Sequence, residues 1–192
     1  MNYFVLFLLI ALASWSVSAL LNHRFKQYSK VYLPLTGKEV AEKMLRDNGI
    51  TDVKVISTPG RLTDHYDPTS KTVNLSEGVY MSNNVAAAAV AAHECGHAIQ
   101  HAKGYLPLQL RSSLVPVVNF ASNMSWILIA VGFLMGGALL KIGILLFSAS
   151  VIFQIVTLPV EFNASSRALR MLQDNGILGS EEIRGTRKVL SA

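Results

Sequence analysis

The chain has 192 residues, enough for one compact domain, and a formal net charge of +5. Hydrophobic residues make up 51% and charged residues 15%, which is too apolar for an ordinary soluble domain and points to membrane segments. No basic run is interleaved with aromatics, so the charge reads as topology signal and lipid contact and argues against a nucleic-acid partner; the single cysteine, Cys95, excludes an intrachain disulfide.

Tyr3 to Leu21 is an almost charge-free apolar run of bilayer-spanning length. His23-Arg24-Phe25-Lys26 and Lys30 follow it, and no basic side chain precedes it. A cleaved signal peptide needs a positive start, which Met1-Asn2-Tyr3 does not offer, so residues 1–22 read as a transmembrane anchor. The positive-inside rule then puts the chain from residue 23 onward in the cytoplasm. Thr36-Gly37-Lys38-Glu39 has the form of a capping box, and Asn48-Gly49 that of a helix stop. Val53–Ile56 and Thr72–Leu75 alternate apolar and polar residues as half-buried strands do. Asp67–Ser70 reads as a hairpin turn between strands of a small sheet.

Val85 to Ala102 follows Ser82-Asn83-Asn84, good N-cap residues, and opens on an alanine-rich run that favours helix. It carries His93-Glu94-Cys95-Gly96-His97. Histidines four apart lie on one helical face, about 6 Å apart along the axis. Two imidazoles so placed can share one zinc ion, each nitrogen about 2 Å from the metal. Glu94 is then positioned to take a proton from a zinc-activated water, the H-E-x-x-H logic of a hydrolase. Cys95 occupies a variable position of that motif and reads as small buried filler.

Lys103-Gly104 and Pro107 end the helical pattern. Two further apolar stretches follow, Val115–Leu140 and Ile142–Val160, joined by a short turn at Gly136–Lys141. They predict a transmembrane hairpin at 115–160 whose outer ends return to one side of the membrane. Pro116, Asn119 and Asn123 share a helical face that would look toward protein or water rather than lipid.

A catalytic zinc has three protein ligands and one open position. His101 extends the spacing of His93 and His97 but lies about 12 Å along the helix from His93, too far to share its ion. It suits a role beside the metal, a substrate contact, or plain surface. Glu161 is the only acidic residue between His97 and Asp174, and it ends the third apolar segment. A carboxylate at a membrane boundary needs a partner. Metal ligation supplies one; a pair with Arg111 or Arg167 is the alternative. Gln154, Thr157 and Ser165 share roughly its helical face.

Three motifs, H-E-C-G-H-A-I-Q-H at 93–101, L-T-D-H-Y-D-P at 62–68 and L-P-V-E-F-N-A-S-S-R-A-L at 158–169, resemble the YugP-type membrane zinc metallopeptidases of bacteria. That family is similar in pattern to the gluzincin class, which includes HtpX proteases and CAAX prenyl proteases. The resemblance covers essentially the whole chain. It implies zinc ligation by His93, His97 and Glu161, with Glu94 as catalytic base. HtpX-type enzymes place an Asp four residues after the ligand Glu, where it orients a zinc histidine; here that residue is Ser165. Family members tend to continue past this C-terminus into another hydrophobic segment.

Together these readings predict a mainly α integral membrane protein. It has three transmembrane helices and a small α+β, gluzincin-like zinc peptidase domain over residues 23–192. The expected function is hydrolysis of peptide or membrane-protein substrates with one Zn2+ per chain, in membrane-protein quality control. The expected location is the bacterial inner membrane, with the active site facing the cytoplasm. His65 and Tyr66, with Tyr105 behind them, are the candidates for stabilising the oxyanion, and Thr72–Leu75 for the strand edge that holds substrate. The alternative is a catalytically silent zinc-binding membrane scaffold or chaperone-like partner, which would have no use for Glu94 as a base.

Overall fold

The computed structural model describes residues 3–135 and 137–191. The chain divides into two compact units, Met1–Ile99 with Ala164–Ala192, and Gln100–Asn163.

In the first unit, α1 (Tyr3–Tyr28) runs from the apolar N-terminal segment into the folded body. Its Phe25 and Tyr28 pack against the core, and the Arg24 guanidinium donates to the Lys188 carbonyl at 2.8 Å. Helix α2 (Gly37–Asp47) begins at the expected capping box. Thr36 Oγ1 accepts from Glu39 N at 3.2 Å, and Glu39 Oε2 accepts from Thr36 N at 2.8 Å. Those bonds hold the Glu39 carboxyl below the usual carboxylate range. The helix buries Val40, Ala41, Met44 and Leu45, one stripe at helical spacing, and stops at Asn48-Gly49.

The sheet has three strands, β1 (Lys54–Thr58), β2 (His65–Asp67) and β3 (Thr72–Ser76), in the order β1-β3-β2. β1 and β3 are parallel, whereas β2 and β3 form an antiparallel hairpin. The hairpin turn lies where it is expected: Asp67 Oδ1 accepts from Thr69 N and Asp67 Oδ2 from Ser70 Oγ. β2 has only three residues, too few for a visible alternation, so the sequence pattern missed it. Its presence makes β3 the central strand. Thr72–Leu75 therefore offers no free edge to a substrate; the sheet's edges are β1 and β2.

A short helix α3 (Glu77–Tyr80) leads to α4 (Val85–Ala102), whose start is capped by Asn84 Oδ1 accepting from Ala87 N at 2.9 Å. Ala86 to Ala89, Ala91 and Ala92 are all buried, as are Val73 and Leu75 of β3 and Val79 of α3. Burying a side chain of Val or Leu size stabilises by about 1.5–3 kcal/mol. Alanine adds little itself but lets neighbours approach closely. The last elements are the end of α6 (Ala138–Asp174) and α7 (Ser180–Leu190). Ala168 and Leu172 of α6 and Ile183 of α7 join the same core.

The second unit contains α5 (Leu106–Met135) and most of α6. Helix α4 ends before Lys103-Gly104 as expected, whereas Pro107, expected in the same break, lies in the first turn of α5, where a missing N–H costs nothing. Lys141, expected in the turn, lies inside the first turns of α6; Gly136 lies outside the described residues. A Cβ on Gly132 would come within 2.4 Å of Leu140 N, and one on Gly143 within 2.9 Å of Ile129 N, so the two helices touch backbone to backbone. This is how apolar helices associate where lipid is the solvent. The buried stripe of α5 is Ala121, Ser125 and Gly132, whereas Pro116, Asn119 and Asn123 are exposed. The packing face thus follows small residues and not the polar face expected to turn inward.

Among the described residues two helices, rather than the expected three, are long and apolar enough to cross a membrane: α5 and α6. The anchor expected at 1–22 begins outside the described residues. Its continuation is α1, which runs through Asn22-His23-Arg24 into the first unit's core.

One close approach orders the first unit. A Cβ on Gly96 would lie 2.7 Å from the Ala164 carbonyl oxygen, so α4 and α6 meet there with no room for a side chain. Gly96→Ala is expected to cost about 1–3 kcal/mol through overpacking. Gly78→Ala, where nothing lies within 4 Å, is the control and should leave the melting temperature nearly unchanged. Equal melting temperatures for both variants would refute this packing.

Candidate metal centre

His93, His97 and Gln100 of α4 are spaced i, i+4 and i+7, which places them on one face. In the first unit, Ser165 Oγ of α6 lies 3.1 Å from His93 Nδ1. In the second unit, Gln100 Nε2 donates to the Val160 carbonyl at 2.8 Å and to Asn163 Oδ1 at 3.0 Å. Within the first unit the α6 partners step backward, from Ser165 for His93 to Ala164 for Gly96, as α4 advances. Among the described residues, His93, His97 and Glu161 form a group that could hold a metal ion: each offers one ligand atom, and these atoms all lie within 4.8 Å of one another. The two imidazole rings stand edge to face, with centroids 4.8 Å apart. His97 is buried, at 8% exposure, and His93 and Glu161 are half-buried. Glu94 is also buried, at 8% exposure. A buried carboxylate beside such a group is costly unless the surroundings use its charge.

The other candidates lie elsewhere. His65 is exposed on β2, its Nδ1 2.7 Å from the Thr63 carbonyl, and is not part of the metal-capable group. Tyr66 packs against the hydrophobic core, and burial pushes its phenol above the usual range. Asp64 accepts from Ser76 N at 2.7 Å and from Ser76 Oγ, tying the start of β2 to the end of β3. Asp67 holds the hairpin turn. The two Asp residues of the D-H-Y-D motif are thus both structural. His101 is exposed on the last turn of α4. Tyr105 donates its backbone N–H to the Gln100 carbonyl at 2.9 Å and so closes the end of that helix.

Sequence reasoning missed two polar residues here, Gln100 and Asn163. The available signal was a polar amide at i+7 from His93 in an otherwise apolar helix face.

Two histidines and a carboxylate are donors that could hold a metal ion, and Glu94, next to His93 in sequence, is buried. The chain belongs to the family described as "Putative neutral zinc metallopeptidase", whose model matches residues 3–192. A similar protein is the "Putative membrane protease YugP" of Bacillus subtilis (strain 168), 50% identical over 171 residues, which span 88% of this chain and 76% of that protein. No solved structure matches the chain. The family implies zinc, and imidazole and carboxylate donors suit it. The relative's name and the two apolar helices point to membrane association.

Cys95, inside the motif, is fully buried, and its thiol lies 3.6 Å from the Ala41 carbonyl. Burial pushes its pKa up. In the folded chain Cys95 is expected to resist a maleimide, and in denaturant to react fully. Rapid labelling of the folded chain, read by mass spectrometry, would contradict this placement.

Proposed function

We propose that the chain is a membrane-embedded zinc metallopeptidase of gluzincin type, with one zinc held by His93, His97 and Glu161. The observation that carries this reading is the proximity of those three ligand atoms. The order of elements, a small sheet followed by the H-E-x-x-H helix and then a helix carrying Glu, supports the gluzincin type.

Bound zinc supplies a Lewis acid for the scissile carbonyl and lowers the pKa of water. The rest is done by the protein's own groups. Ser165 orients His93: with the proton on Nδ1 donated to Ser165 Oγ, Nε2 carries the lone pair that would hold the metal. Ser165 would thus fill the place of the Asp found in HtpX-type enzymes. Glu94, about 100° round the helix from His93, is not part of the metal-capable group. It takes a proton from the attacking water and returns it to the leaving amine. A cavity of about 660 Å³ is lined by Leu106, Pro107, Leu110, Ser113, Val156 and Pro159, the last of these two residues before Glu161 in sequence. Its apolar walls suit apolar side chains of a peptide or membrane-protein substrate.

Glu94→Gln keeps size and hydrogen bonding but cannot accept the proton. It is expected to retain zinc and to lose about a hundred- to ten-thousandfold in peptide cleavage. The paired measurement is zinc content and cleavage of a model peptide. Undiminished cleavage would sink the mechanism, and absence of cleavage by the wild-type protein with full zinc would favour the silent scaffold.

The basic residues at the end of α1 and in the C-terminal segment support an active site on the cytoplasmic face. The turn between α5 and α6 then lies on the opposite side. Because the only native thiol is buried, Ala138→Cys, an exposed position beside that turn, serves as a single reporter. It is expected to label from outside intact cells. Labelling only after the cytoplasm is opened would reverse the orientation.

A further inference from the structure

Gln100 is fully buried, yet it is an amide with two N–H donors that must be satisfied. Its nitrogen donates to two acceptors on α6, the Val160 carbonyl at 2.8 Å and Asn163 Oδ1 at 3.0 Å. Those two residues bracket Glu161, one before it and two after. The same stretch follows Pro159, which has no N–H for the Ile155 carbonyl and so weakens α6 just ahead of the carboxylate. A helix weakened at that point needs an outside hold if its side chain is to stay in one place. A carbonyl has two lone pairs, so Val160 can keep its helical bond and still accept from Gln100.

We propose that Gln100 is a positioning residue for Glu161: it clamps the α6 backbone on either side of that carboxylate and so sets zinc affinity without touching the ion. The clamp rests on the reading of Glu161 as third ligand. Gln100 and the two histidines then form one stripe of α4, where His93 and His97 bind the metal and Gln100, one turn further on, holds the helix that brings the third ligand. Buried partners that orient a metal ligand cost about 10- to 100-fold in affinity when removed.

The test is a double-mutant cycle on the full-length chain in detergent, with zinc affinity read by competition against a chromophoric chelator. Gln100→Leu removes both donors and keeps an apolar side chain of similar size. In the wild-type background it is expected to weaken zinc binding about 10- to 100-fold. In the Glu161→Ala background it should weaken binding by less than about threefold, because the group it positions is gone. Asn163→Ala removes one of the two bonds and should give a smaller loss with the same dependence on Glu161. It also carries the test if Gln100→Leu does not fold. An equal loss in both backgrounds would mean general damage to the helices and would overturn the clamp, as would no loss in either. Unchanged zinc affinity of Glu161→Ala alone would instead remove Glu161 as a ligand, an outcome read from that single variant.

Discussion

The contact at Gly96 is the constraint on which the arrangement depends. With Ala164 O only 2.7 Å from where a Cβ would stand, α4 and α6 pack at backbone distance. That closeness lets a hydroxyl as short as Ser165 reach His93. A bulkier residue at 96 would force the two backbones apart there and strain the neighbouring Ser165–His93 contact.

Small residues do similar work at two depths, for different physical reasons. In the first unit the alanines of α4 let an aqueous-type core of Val, Leu and Met close around the helix, driven by removal of apolar surface from water. In the second unit Gly132 and Gly143 let α5 and α6 touch, while Phe120, Trp126, Phe133 and Leu134 point outward. Large exposed apolar side chains would be a liability in water, whereas in a bilayer they face their proper solvent. The same chain therefore uses two packing rules, and α6 passes from one to the other near Glu161.

Polar groups mark that passage. Glu161, Ser165, Asn163 and Gln100 lie where α6 leaves its most apolar stretch, and each has chemistry that either binds or orients. Buried polar groups are costly unless fully partnered. Their concentration at one level of the helix pair is the reason to look there for function rather than along the exposed β2 segment with His65.

Much of this was readable from residues alone. Periodicity and caps determined α2, α4 and the Asp67–Ser70 turn, because each is set by neighbours within a few residues: Thr36 with Glu39, Asn84 with Ala87, Asp67 with Ser70. His93, Glu94, His97 and the candidacy of Glu161 followed from ligand chemistry and helical spacing. What lay beyond the sequence was long-range pairing. A three-residue strand has too little pattern to be seen, so only the fold shows that β2 covers β3 and leaves Thr72–Leu75 without a free edge. The inward face of α5 could not be read from polarity, because close packing selects Ala121, Ser125 and Gly132 by size and leaves Asn119 and Asn123 outside. Likewise the amide of Gln100 has no meaning until the fold brings Val160 and Asn163 within 3.0 Å of it, some sixty residues away along the chain.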